Sequence, residues 1–220
     1  MFLKDIYMKR FMIFLLLFST AGLVFGQAPE KIKLNPPDLK KGLPVMQALE
    51  KRASATEFDT TMLRLQDLSD LMWAANGINR PENGKRTAPS ARNSQDIDLY
   101  ACLPYGTYLY EPKEHSLKLV AEGDHRPLAA GSQAHFAKAP VICLLVSDIS
   151  RFQGSDDSVK LVWAAMDGGI VSQNIGIFCA GTGLKTRPRA WMEKDKLREA
   201  LHLRETQHPI LNNPVSYKKE

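Results

Sequence analysis

The apolar residues Met62, Leu65, Leu68, Leu71, Met72 and Ala75 recur at steps of three and four, the period of a helix with one buried face. Asp59 or Thr60 supplies an N-cap and Asn76-Gly77 a stop, so a helix is predicted from about residue 60 to 76. A shorter helix is predicted upstream. Pro44 suits a first helical turn, and Val45, Met46 and Leu49 make one apolar face up to about Arg52. The period changes to two further on. Ile97, Leu99 and Ala101 alternate with Asp98, Tyr100 and Cys102, which predicts a strand. "GTYLYEPKEHSLKLVAEGD" predicts a β-hairpin turning at Glu111–Glu114.

"APVICLLVSD" is a continuous apolar run, fit for a central strand buried on both faces. Residues 157–180 are apolar nearly all round, which predicts a buried helix. Its Gly168, Gly169 and Gly176 suggest close approach to another backbone, and Gly181 to Gly183 end it. A last helix, about Trp191 to Leu201, precedes an extended tail. Residues 77–95 form a polar loop long enough to suggest function. Strands and helices without internal repeat make the fold class α+β.

The chain has 220 residues. Its start is not part of that fold. Lys9 and Arg10 precede the apolar run Phe11 to Phe18. Small residues Ser19, Thr20, Ala21 and Gly22 follow, and the segment ends at Gly26-Gln27. A basic region, a short apolar core and small residues at the cleavage position read as a secretory signal peptide over residues 1–26. Export, to the periplasm, follows from that reading; the alternative is an N-terminal membrane anchor. Residues 27–43 are rich in Pro and Lys and read as an extended arm, leaving 44–220 as the folded domain. The whole chain carries +5, of which Lys4, Lys9, Arg10 and Asp5 account for +2, so the mature chain is mildly basic at +3. The cations are scattered and leave no nucleic-acid footprint. Cys102, Cys143 and Cys179 lie far apart in apolar runs, which predicts free buried thiols rather than a disulfide framework. The five histidines show no metal spacing, so no metal site is expected.

Four polar segments remain: "RASATEFD" (52–59), "APSARNSQ" (88–95), "GLKTRPRAW" (183–191) and "VSYKKE" at the end. They offer cations, hydroxyls and backbone N–H groups, which suit a phosphate and a flat polar ring. Arg52 with Ser54 provides a planar fork and a hydroxyl donor for a phosphate.

In this order the segments resemble the nitroreductase-like flavoproteins, most closely their SagB/ThcOx-type dehydrogenase branch. "RASATEFD" resembles an Arg-x-Ser-x-Arg/Lys-x-Phe segment. "LSDLMWAANGINR" and "RTAPSARNSQDIDLY" resemble a Trp-Ala-Ala-x-Gly block followed by Arg-Thr-Ala-Pro-Ser-Ala. "YGTYLYEPKEHSLKLVAEGDHR" resembles the family's hairpin, and "DGGIVSQNIGIFCAGTGL" its core helix. The resemblance covers about Glu50 to the C-terminus. It implies a central mixed or antiparallel sheet flanked by helices, an intertwined homodimer and one FMN per site at the dimer interface. It further implies NAD(P)H or another electron donor and a small-molecule acceptor.

Carried over, Arg52, Ala53 and Ser54 meet the phosphate and ribityl end of FMN. Thr56 stands where the family has Arg or Lys beside the ring. Pro89, Ser90, Ala91 and Asn93 reach FMN from the partner subunit. Pro188, Arg189 and Ala190 line the ring, and Lys218 or Lys219 adds a phosphate cation. The chain departs from the family pattern at Thr56, which has no charge, and at Trp191, which is bulky. The implied function is an FMN-dependent oxidoreductase passing hydride through flavin N5. The alternative is a flavin-binding protein with little turnover.

Overall fold

The computed structural model describes residues 28–219, so the signal-peptide segment lies outside the described residues. Nine strands run in chain order: β1 (Lys31–Lys33), β2 (Ile78–Arg80), β3 (Lys85–Arg86), β4 (Ile97–Leu103), β5 (Gly106–Glu111), β6 (Ser116–Glu122), β7 (Val141–Asp148), β8 (Lys185–Thr186) and β9 (Gln207–Ser216). Five helices accompany them: α1 (Val45–Lys51), α2 (Leu65–Asn76), α3 (Arg126–Ala130), α4 (Asp157–Thr182) and α5 (Lys194–Ala200). β2 and β3 form a small separate ribbon. The other seven strands make one sheet in the order β1-β6-β5-β4-β7-β9-β8, antiparallel at every pairing.

The sheet is covered on both faces, and β7 shows why its sequence is apolar throughout. Val141, Cys143 and Leu145 point to one side, where Leu68, Leu71, Met72 and Ala75 of α2 and Val171, Ile175 and Cys179 of α4 complete the larger core. Ile142, Leu144 and Val146 point to the other, against Ala129, Met192, Leu197 and Leu201 around α3 and α5. Alternation along a strand between two buried faces produces an unbroken hydrophobic run. The three cysteines are free and buried.

Several boundaries differ from the sequence expectation. The helix expected to start near Asp59 or Thr60 begins at Leu65. Asp59 instead closes a local turn, accepting the Thr61 N–H at 2.6 Å. Its own N–H goes to Ser216 Oγ, and the Arg64 N–H goes to the Tyr217 hydroxyl. The long loop 77–95 holds the β2–β3 ribbon and a 3-10 turn at Ala91–Asn93. The last helix starts at Lys194 rather than Trp191. The tail is no free extension: β9 lies inside the sheet, between β7 and β8. The N-terminal arm adds β1 to the sheet edge, and Lys41 pairs with Asp67 (2.5 Å) and Asp70 (2.7 Å) of α2.

Helix α4 is 26 residues long, about 39 Å at 1.5 Å per residue. Only one of its faces is covered. Asp167, Gly168, Val171, Ser172, Ile175 and Cys179 are buried, whereas Val162, Met166 and Ile170 stay exposed, Met166 to 62%. The close approach expected of its glycines occurs at Gly168, where a Cβ would lie 3.1 Å from Ile210 Cγ2 of β9. Gly169 faces open space.

Candidate active site

Three segments meet beside the C-terminal end of α4. Helix α1 ends at Arg52, whose extended backbone (φ −61°, ψ 120°) turns the chain into residues 53–56. These run beside β8: Ser54 and Thr186 form a parallel bridge, and the Ala55 N–H donates to Thr186 O at 2.9 Å. β8 in turn pairs with Val215 and Ser216 of β9, which brings Lys218 and Lys219 alongside. Two adjoining cavities result. One, about 310 Å³, is lined by Lys51, Ala53, Gly176, Lys185, Thr186 and Lys218 among others. The second, about 290 Å³, is lined by Ser54, Thr56, Glu57, Lys185, Lys218 and Lys219.

The donor set suits an anionic, hydroxyl-bearing ligand. Lys51, Lys185 and Lys218 line the first cavity, and no carboxylate stands beside them in its wall. Glu57 is at the second cavity, paired with Lys219 at 3.2 Å. Thr186 Oγ1 is buried without a hydrogen-bond partner, a costly state unless a ligand completes it. Of the residues expected here, Ala53, Ser54, Thr56 and Lys218 line the walls. Arg52 is exposed and lines neither cavity. Lys51 and Lys185 do line them, and as isolated lysines in the sequence they carried no signal of their own.

The 88–95 loop sits elsewhere in the same protomer, at mid-α4. The Ala91 N–H donates to both oxygens of Asp167, at 2.8 and 3.1 Å. Ser90 Oγ accepts the Gln95 N–H, and the Arg92 guanidinium donates to Gln153 O and lies over the Trp163 ring. Arg92, Asn93 and Gln95 have φ of 54°, 55° and 49°, an uncommon conformation held by these contacts. Asp167 and Gly176, the cavity residue on α4 nearest to it, are nine helix positions apart, about 14 Å, so within one chain the loop and the lysine-lined cavity are separate.

Beneath the loop, Asp96 is buried and accepts from Ser147 Oγ at 2.5 Å. Its Oδ1 has no donor of its own. Burial, with the neighbouring Asp167 carboxylate, raises its pKa to about 7.

Of Pro188, Arg189 and Ala190, the first and last are exposed and Arg189 is buried. The Arg189 N–H and C=O pair with Asn212 of β9 at 2.8 and 2.7 Å, so its N–H is committed within the protein. Trp191 is 62% exposed, with its indole N–H on Ser132 Oγ. Among the described residues, no group of three His, Cys, Asp or Glu side chains is placed to hold a metal ion.

Fold and pocket together define a nitroreductase-like α+β protein. The model of the Nitroreductase family matches residues 49–216. A candidate nitroreductase of Methanocaldococcus jannaschii is 27% identical over 87% of this chain and 99% of its own. The crystal structure of a candidate nitroreductase from Ralstonia eutropha is 34% identical, with a TM-score of 0.83 over 89% of this chain and 92% of that one. The Escherichia coli microcin synthetase complex shares the fold, with a TM-score of 0.69 at 17% identity, over 94% of this chain and 81% of that one. The chain belongs to the Nitroreductase family of oxidoreductases, whose members typically bind a flavin.

Proposed function

We propose that this protein is an exported, FMN-dependent oxidoreductase of the SagB/ThcOx-type branch, working as a homodimer. The observation that carries the reading is the lysine-lined cavity with its partnerless Thr186 hydroxyl, walled by the Ala53–Thr56 segment. Lys51, Lys185 and Lys218 would hold the FMN phosphate, with Arg52 at the rim and Ser54 toward the ribityl chain. Bound there, FMN supplies two-electron hydride chemistry at N5 in a ping-pong cycle, with NAD(P)H as donor and a small molecule as acceptor. The protein's part is to bind, orient and exclude water.

The separation of the two half-sites supports the dimer. The 88–95 loop, seated on Asp167, lies about 14 Å along α4 from the cavity of its own chain. Pro89, Ser90, Ala91 and Asn93 of the partner subunit would complete the site. The apolar stripe Val162, Met166 and Ile170 left open on α4 is the surface for that partner. Export rests on the basic, apolar and small-residue pattern of residues 1–26.

Thr56 favours a second reading, since the cavity wall has a hydroxyl where a cation would assist reduction. In that reading the protein binds flavin with little turnover. A visible spectrum of purified protein, followed by anaerobic mixing with NADH or NADPH, decides. Flavin bands that bleach within milliseconds to seconds support the oxidoreductase. Bands that persist support the carrier, and a colourless protein that takes up no added FMN ends both readings.

A further inference from the structure

Arg189 is buried, yet among the described residues no carboxylate lies within ion-pair distance of it. Its guanidinium is held by neutral acceptors alone. Nη1 donates to Ala129 O (3.1 Å) and Asn212 Oδ1 (2.8 Å), Nη2 to Ala130 O (2.7 Å) and Gln133 Oε1 (2.9 Å), and Nε to Gln133 Oε1 (3.3 Å). Every N–H is engaged, but the charge is not neutralised. A buried cation without a counter-ion is costly, and its neutral acceptors satisfy the N–H groups while leaving the charge itself uncompensated.

The position of this charge gives it a use. The guanidinium lies 4.3 Å from the centre of the Phe136 ring, and that of Arg187 lies 5.9 Å from the same ring. Phe136 packs edge-on against Phe58 (5.7 Å between centres), and Ala55 packs against this cluster. Thr56, the next residue, lines the cavity. Phe136, Phe58 and Ala55 therefore form a packed apolar path from Arg189 to the cavity wall, and through such a path a charge is screened less than through water.

We propose that Arg189, assisted by Arg187, is the positioning cation of the site, stabilising the negative charge that an electron-accepting ligand gains on reduction. It stands in for the cation missing at Thr56 and acts from behind the wall rather than by contact. The inference rests on the FMN reading above. Arg189 orients no reacting atom; its effect is electrostatic, and it favours the reduced form of whatever is bound.

The test is a spectroelectrochemical titration of FMN bound to wild type, Arg189→Gln, Arg189→Lys and Arg187→Gln. At a fixed electrode potential, Arg189→Gln is expected to lower the reduced-to-oxidised ratio about tenfold, a two-electron shift of about 30 mV. Arg189→Lys, which keeps the charge, should stay within about twofold of wild type. Arg187→Gln should lower the ratio a few-fold, and it keeps the question decidable if Arg189→Gln does not fold. A purely structural Arg189 would make Gln and Lys shift alike, or leave the Arg187→Gln potential at the wild-type value; either result overturns the proposal. Wild-type protein that takes up no FMN overturns the FMN reading itself, and the proposal with it.

Discussion

Ala91 and Asp167 are 76 residues apart, and the backbone N–H of the first donates to both carboxylate oxygens of the second. This bond seats the 88–95 loop on the middle of α4. Asp167→Ala strands a part-buried N–H at a cost of about 1–3 kcal/mol. A domain of this size should lose roughly 2–4 °C of Tm for each kcal/mol. The loop's left-handed residues should then relax, and bound FMN should be lost more readily than the melting point alone implies. A thermal melt and a flavin-retention assay on one sample check both effects.

The Asp96 carboxyl beneath that loop makes stability depend on pH in a stated direction. Burial raises its pKa in the folded protein to about 7, from an ordinary value of 3.8. Between pH 4 and 7 the folded chain therefore holds a proton the unfolded chain has released. Stability must fall as pH rises through this window. The contribution present below pH 4 should be lost by pH 7, on the order of a few kcal/mol. Arg86 and Arg151 also bond to the Gln95–Asp98 stretch, so the informative quantity is a difference. Denaturant unfolding of wild type and Asp96→Asn at pH 4, 5.5 and 7 should show the extra slope only in wild type.

The open stripe on α4 predicts an effect at a distance from the cavity. Met166→Glu places a charge in the middle of Val162, Met166 and Ile170, where the side chain is already exposed in the single chain. The protomer fold should survive, whereas association should fail. Multi-angle light scattering is expected to give a monomer that retains no FMN. A monomer with full flavin content would show that one chain suffices for the site.

The two phosphate candidates should behave differently. Lys185 lines both cavities, while Arg52 lines neither. Lys185→Ala removes a charge-assisted bond worth about 1.5–3 kcal/mol, so FMN affinity should drop roughly tenfold to a few hundredfold. Arg52→Ala should cost less than tenfold. Titration calorimetry of apo-protein with FMN ranks them, and the reverse order would put the phosphate at the rim.

Much of the scaffold was legible in the sequence because its signals are local. β7 is a continuous apolar run, α4 is long and mostly apolar, and Ile97, Leu99 and Ala101 alternate as a strand should. The start of α2 was not legible, since Asp59 spends its capping ability on Thr61 and its N–H on Ser216, 157 residues away. β9 was hidden for a different reason. "QHPILNNPVS" contains Pro209 and Pro214, which argue against an inner strand. A register shift beside Pro209 and a second neighbour that covers only Val215 and Ser216 make both tolerable. In the candidate site, Ser54, Thr56 and Lys218 sat in recognisable motifs. Lys51 and Lys185 are single lysines, and only the fold brings them to one cavity.

The place of β9 also governs how the chain must be assembled. It comes after every other strand in the sequence, yet it lies between β7 and β8. Until residues 207–216 have been synthesised, Val141–Asp148 presents a bare edge that is apolar from Val141 to Val146, the kind of strand that pairs with other chains. Nascent protein therefore passes through an adhesive stage that ends only when its last strand closes the gap. A chaperone that shields β7 during that interval should raise the yield of soluble protein, and chains cut before Gln207 should aggregate.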